Sequence, residues 1–390
     1  MRIIFYVLVG GVAAVVTFGL AALILRLSLK YRLYPKIRDR DVHSRPTPRL
    51  GGIAMFLGII VAMAVASQVP QLSLVFSEPL KIFGLLSAAL IIVLIGVADD
   101  VWDLDWLTKL AGQIIAGGVL AWSGIQIYTL PIFGGVTVLP PTISMIVTVL
   151  TVVLVMNAIN FIDGLDGLVA GVALIANGVF FIYSYLLSVN AGNTEYFNLA
   201  SLVTAVLIGA CVGFLPLNFY PAKMFMGDAG ALLVGLLMAA SAISVTGLVD
   251  SENWGYGGQL LPAFIPILLP FAVLVVPLLD FALAVVRRLM AGKSPFAADQ
   301  LHLHHRLMDM GHSHRRSVLI FYGWTFVVSV GCLSFMFLPV YTALPLLMAG
   351  LLVCTVITFG SLRAGTRIDA TSHEPHPDAV SGAVQKGTTE

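Results

Sequence analysis

The sequence predicts an all-α, polytopic integral membrane protein of about eleven transmembrane helices, with a broken ninth helix and one short external β-hairpin. Three observations lead there. Of the 390 residues, 59% are hydrophobic and only 11% are charged, against about 25% charged in an ordinary soluble domain. Mean hydropathy is +0.98, more apolar surface than a soluble core hides, so a bilayer has to act as solvent. Finally, apolar runs near the roughly 20 residues needed to cross a hydrocarbon core recur at 3–28, 50–69, 80–98, 108–124, 142–160, 165–189, 199–216, 226–249, 260–286, 317–338 and 340–360.

Each element follows from local signals. The first run is too long for a secretory signal and lacks a small-residue cleavage site, so it reads as a retained span. The fourth is short. The ninth contains Pro262, Pro266, Pro270 and Pro277, which remove backbone donors and should kink or break it. Between the fourth and fifth, "GIQIYTLPIFGGVTVLPP" (124–141) alternates about Gly134-Gly135 and predicts the hairpin. Residues 1–363 form the membrane domain, and 364–390, rich in Gly, Ser, Thr, Pro and charge, read as a disordered tail. Cys211, Cys332 and Cys354 lie in apolar runs and do not suggest a disulfide framework. A net charge of +1 offers no bulk field for nucleic acid.

Orientation follows from Lys and Arg. The loop after the first span holds Lys30, Arg32, Lys36, Arg38, Arg40, Arg45 and Arg49, and the loop after the ninth holds Arg287, Arg288, Lys293, Arg306, Arg315 and Arg316. Lys109 and Lys223 flank the third and seventh loops, whereas the even-numbered loops are nearly free of positive charge. The positive-inside rule then makes the odd loops cytoplasmic, the N-terminus external and the C-terminal tail internal.

The polar clusters fall on that same side, although they did not enter the charge count. "IGVADDVWD" brings Asp99, Asp100 and Asp103 to the third loop, with Asp105 behind them. "NAINFIDGLDGL" brings Asn157, Asn160, Asp163 and Asp166 to the fifth, and "NFYPAKMFMGDAG" brings Asn218, Lys223 and Asp228 to the seventh. "ADQLHLHHRL" brings Asp299, His302, His304, His305 and Arg306 to the ninth. Ionisable groups at membrane depth are costly and usually face a functional cavity. Any one Asp could equally cap a helix N-terminus. That account does poorly on Asp99 and Asp100, which close a helix at the end where the dipole disfavours anions. Adjacent carboxylates repel unless a cation or a shared proton offsets them. A hard cation such as Mg²⁺, held by one or two carboxylates plus phosphates and water, would explain them, with Asp228 supplying a further oxygen. The His-rich stretch reads as phosphate recognition or acid–base work, as a zinc site with His312 and His314, or as a solvated basic helix. Gly51-Gly52 after "PTPR" opens a helix where backbone N–H groups could hold an anion or simply permit close packing.

These motifs, together with "RPTPRLGG", appear in order and in matching loops, and over roughly residues 30–360 the chain resembles the polyprenyl-phosphate N-acetylhexosamine-1-phosphate transferases. That resemblance implies a transmembrane enzyme that moves a sugar-1-phosphate from a UDP-sugar to a polyprenyl phosphate and releases UMP, with Mg²⁺ as cofactor and Mn²⁺ as a substitute. It associates the metal with Asp228 beside Asp100, and places one of Asp99 and Asp100 on the lipid phosphate, with His302 as a further catalytic group. It places Phe225 on uracil, Asn160, Asp163 and Asp166 along the nucleoside, Lys109 near the phosphates, and His304, His305 and Arg306 at the sugar or diphosphate end. Arg45, in the basic first loop, either sets topology or draws in the anionic substrates. Ala229 departs from a family Thr. The His302-x-His304-His305 pattern is similar to the branch using UDP-N-acetylglucosamine, rather than the phospho-N-acetylmuramoyl-pentapeptide transferases with three consecutive histidines. A homodimer is a candidate assembly. Direct attack by the lipid phosphate is favoured over a two-step route through a covalent Asp intermediate. A secondary transporter would put its polar groups near mid-membrane, usually between related halves, and no internal repeat is evident.

Overall fold

The computed structural model describes residues 3–31, 47–132, 135–190, 195–246 and 307–360 except 309, together with positions 275, 278, 279, 282, 283, 285–290 and 292. The helices are α1 (Ile3–Tyr31), α2 (Gly51–Ser67), α3 (Pro79–Trp102), α4 (Trp106–Trp122), α5 (Pro141–Ile162), α6 (Leu168–Asn190), α7 (Glu195–Asn218), α8 (Gly227–Thr246), α9 (His314–Ser334) and α10 (Val340–Phe359). A 3₁₀ segment, Pro70–Phe76, follows α2. Pro79 and Pro141 open α3 and α5, where a missing N–H costs nothing and the fixed φ suits the first turn. The expected hairpin forms: β1 (Thr129–Ile132) pairs antiparallel with β2 (Gly135–Val138), Thr129 opposite Val138.

The described residues carry fewer spans than the expected eleven. Among the described residues, eight helices are long and apolar enough to cross a membrane, or nine if α2 and the 3₁₀ segment, bent by 112°, count as one. The expectation of about eleven exceeds this for two reasons. The ninth run, 260–286, lies largely outside the described residues, as do the proposed break and the tail. In addition, α2 and α4 have 17 residues each, short of the roughly 20 that a full crossing takes.

The bundle is built around α8, the most buried span, which packs against α2, α3, α5 and α7. Without a hydrophobic drive between helices in lipid, close packing of small residues does the work. A Cβ added at Gly52 would run into Gly230, and one at Gly96 would run into Ala229. These contacts press α2 and α3 against the first turn of α8, setting the last turn of α3 beside the start of α8. α9 packs on α6 and α10.

Candidate active site

The end of α3 explains how four aspartates coexist in seven residues. Asp103 takes the left-handed conformation, φ 55°, and its N–H donates to the Asp99 carbonyl at 2.8 Å; a short polar residue tolerates that geometry. The Asp99 carboxylate folds back, Oδ1 accepting the Leu104 N–H at 2.9 Å. Asp105 is the N-cap of α4. It accepts the Thr108 hydroxyl at 2.6 Å and the Thr108 N–H at 3.0 Å, and these hydrogen bonds hold its carboxyl below the ordinary 3.8. Helix capping therefore accounts for Asp105.

Asp99 and Asp100 do more. The Lys109 ammonium, one turn into α4, lies 2.5 Å from Asp99 Oδ2 and 3.2 Å from Asp228 Oδ2. Lys109 thus bridges the Asp99 and Asp228 carboxylates, and Asn160, at the end of α5, lies near enough to Asp228 to act on its charge. Asp100 reaches across to α8, where Oδ1 accepts the Asp228 N–H at 3.4 Å. It thus sits at the negative end of one helix dipole and the positive end of another, and the second relieves the first. Asp100 Oδ2 is buried without a hydrogen-bond partner. It abuts Gly227, φ +69°, where any Cβ would meet Asp100 Oδ2 and the Arg49 carbonyl. Arg49 lies close enough for its charge to act on both Asp100 and Asp163.

The segment before α2 is stitched to the segment before α8. The Phe225 N–H donates to the Pro48 carbonyl at 2.9 Å, Gly51 N–H to Phe225 O at 3.0 Å, and Gly52 N–H to Met226 O at 2.9 Å. The two glycine N–H groups are thus consumed by protein carbonyls. Close packing, not anion binding, explains Gly51-Gly52. The same stitching fixes the half-buried Phe225 beside Arg49.

Between α5 and α6, Asp163 caps α5, its N–H donating to the Asn160 carbonyl at 3.2 Å. Burial pushes its carboxyl from 3.8 up to about 7, helped by the charges of Asp228 and Asp166 and opposed by Arg49. Asp166 is 2% exposed, and its Oδ2 accepts the Ala222 N–H at 2.9 Å. The Asp166 N–H donates to His314 Nε2 at 3.0 Å. Gly167 N–H donates to Asn218 Oδ1 at 3.1 Å, and the Gly167 carbonyl accepts the Tyr322 hydroxyl at 2.6 Å.

The structure therefore brings Asp99, Asp100, Lys109, Asn160 and Asp228 together, with Asp163 in electrostatic reach and Asp166 and Phe225 on the adjoining turns. Arg45, His302, His304, His305 and Arg306 lie outside the described residues. Several contributors escaped sequence reasoning. Gln113 Oε1 accepts from Asn157 Nδ2 at 2.5 Å, tying α4 to α5. It is an amide one turn after Lys109 in an apolar run, which was a readable signal. The Arg288 guanidinium lies 5.2 Å over the Phe161 ring, and Tyr220 stacks on His314 at 4.7 Å with the Arg315 guanidinium 5.2 Å above it; nothing in the local sequence marks these pairings.

Do these residues fit a divalent cation? Two carboxylates, Asp99 and Asp228, face the single Lys109 ammonium, and Asp100 Oδ2 beside them is a buried hard donor lacking a partner. Among the described residues no three His, Cys, Asp or Glu side chains form a ready-made metal cage. That combination fits the manner of Mg²⁺, which takes one or two carboxylates and completes its shell with water and substrate phosphates.

A multi-pass helical bundle with acids, a lysine and an amide converging at its helix ends defines a class, the membrane-embedded proteins with a charged site at one face of the bilayer. Comparison with known proteins narrows it. The glycosyl transferase family 4 model matches residues 82–246, a stretch containing Asp99, Asp100, Lys109, Asn160, Asp163 and Asp228. The decaprenyl-phosphate N-acetylglucosaminephosphotransferase of Mycolicibacterium smegmatis is 41% identical over 92% of this chain and 89% of its own length. Its counterpart in Mycobacterium tuberculosis is 43% identical over 90% and 87%. The phospho-N-acetylmuramoyl-pentapeptide-transferase of Desulforudis audaxviator is 28% identical over 81% and 92%. The chain belongs to the polyprenyl-phosphate N-acetylhexosamine-1-phosphate transferases, within glycosyl transferase family 4.

Proposed function

We propose that the protein transfers N-acetylglucosamine-1-phosphate from UDP-N-acetylglucosamine to polyprenyl phosphate, releasing UMP and leaving polyprenyl-diphospho-N-acetylglucosamine. This is the first lipid-linked step toward a cell-wall or surface polysaccharide. The observation that carries the reading is the Asp99–Lys109–Asp228 cluster with Asp100 beside it, contributed by α3, α4 and α8 inside the family-matched stretch. The donor follows from the relatives at 41% and 43%, both named for N-acetylglucosamine, against 28% for the muramoyl-pentapeptide enzyme. The cytoplasmic placement of the site, with the N-terminus outside, rests on the distribution of Lys and Arg.

Two anionic substrates must meet, so charge is the first barrier. A phosphate monoester is largely dianionic at neutral pH, its second pKa lying near 6, and needs no strong base. A lipid phosphate oxygen attacks the β-phosphorus in line; the bond to the bridging oxygen breaks, and that oxygen leaves with UMP. Lys109, held between Asp99 and Asp228, presents its ammonium to the charge that builds on the transferring group. Asp99 orients the lysine, and Asp100 keeps the start of α8, hence Asp228, in register. Phe225 and the 160–166 turn receive the nucleoside. Asp228 and Asp100 would hold Mg²⁺, which when bound supplies neutralisation of the diphosphate.

The test is UMP release from purified protein in proteoliposomes. Release should require UDP-N-acetylglucosamine, a polyprenyl phosphate and Mg²⁺ together. Release with UDP-N-acetylmuramoyl-pentapeptide instead would overturn the donor assignment, and no release with any UDP-sugar would overturn the reading as a whole.

A further inference from the structure

Resting on the reading above, we propose that His314, at the start of α9, is a positioning residue for the nucleotide end of the donor. It would act by holding the Asp166–Gly167 turn, with Tyr322 as its partner in that grip. Four hydrogen bonds tie this two-residue turn to elements distant in the chain, and they come from two directions. From the last residue of α7 and the segment after it, Asn218 Oδ1 takes the Gly167 N–H and the Ala222 N–H is taken by Asp166 Oδ2. From α9, His314 Nε2 takes the Asp166 N–H at 3.0 Å and the Tyr322 hydroxyl donates to the Gly167 carbonyl at 2.6 Å. His314 and Tyr322 are eight residues apart, a little over two turns, so they project from one side of α9. Gly171, one turn into α6, makes the room: a Cβ there would collide with the Tyr322 ring. The Tyr220 ring, 4.7 Å from the imidazole, backs His314 on the other side.

The chemistry of the bond is specific. A ring nitrogen that accepts an N–H carries no proton itself, so His314 works with Nε2 bare, and an apolar replacement leaves the Asp166 N–H without its partner. An unmade bond at such a donor is more costly than the bond's own net worth. The consequence should be confined to the donor. α9 packs on α6 and α10, whereas Asp99, Lys109 and Asp228 stand on α3, α4 and α8.

The experiment compares wild type with His314→Leu, His314→Gln and Tyr322→Phe, each checked for a monodisperse peak and a wild-type Tm in detergent. KM and kcat for UDP-N-acetylglucosamine are measured at saturating polyprenyl phosphate. His314→Leu and Tyr322→Phe should raise the donor KM about three- to tenfold, the span of one lost hydrogen bond, with kcat and the lipid KM within about twofold. His314→Gln, whose amide oxygen can accept the same N–H, should recover most of the donor KM. An unchanged donor KM in His314→Leu, a loss confined to kcat, or failure of Gln to rescue a well-folded protein would each overturn the proposal. Absence of UMP release from wild type would instead overturn the function on which it rests.

Discussion

Asp99 and Asp100 are adjacent in the chain yet answer to different partners. Asp99 binds a cation and a backbone N–H of its own connection; Asp100 takes the N–H of Asp228 on another helix. Removing Lys109 should therefore unbalance the whole cluster: Lys109→Met is expected to lower kcat by about 10²–10³, the usual cost of losing a preorganised charge at a transition state, as read by UMP release. Asp163 offers a pH test. Its folded value of about 7 lies above 3.8, so the folded state holds the proton more tightly. The stability this contributes is complete below 3.8 and is lost as pH rises to about 7. Asp163→Asn should gain in Tm relative to wild type as the pH is raised from 5 to 8, measured in detergent. The residue types of this site were readable from the sequence because charge in an apolar chain is conspicuous. The partnership of Asp100 with the start of α8 was not, since it joins positions 128 apart and depends on glycines whose packing role has no local signature.

At the scale of elements, function depends on how closely α3 and α8 approach. Gly96 lies one turn before the aspartate pair, and an added Cβ would strike the Ala229 backbone. Overpacking of this kind costs about 1–3 kcal/mol, and here it would also separate Asp100 from Asp228. Gly96→Val is expected to lose more activity than its drop in Tm explains, whereas the same change at Gly118, which has nothing within 4 Å, should leave activity near wild type. Helix positions were legible from apolar runs, and the hairpin from its alternation about a Gly-Gly pair. Their lengths were less so. α2 stops at Ser67 and turns by 112° into a 3₁₀ segment, where the apolar pattern alone runs on without a break. The distribution of Lys and Arg already gathered the polar loops on one side, and the resemblance added the role expected of each residue.

For the whole molecule, α3 and α5 bring their C-terminal ends to the cluster and α4 and α8 their N-terminal ends, while the hairpin joins the opposite ends of α4 and α5. The proposed orientation can be read directly. Cys211, Cys332 and Cys354 are buried, so a single introduced thiol should stand out. Lys223→Cys should react with an impermeant maleimide only after the membrane is opened, and Thr137→Cys in intact cells. The reverse pattern would invert the topology and place the reaction on the outer face.

α4 has a consequence for the membrane itself. Its 17 residues measure about 25 Å at 1.5 Å per residue, less than the roughly 30 Å of a hydrocarbon core. Lipids meet a short helix by drawing their two leaflets together around it. The dimple would form at the wall of the protein that bears Lys109. A polyprenyl phosphate travelling in the leaflet would then be carried down to the depth of the cluster by the shape of the bilayer, and the enzyme would not have to lift its headgroup out of the membrane.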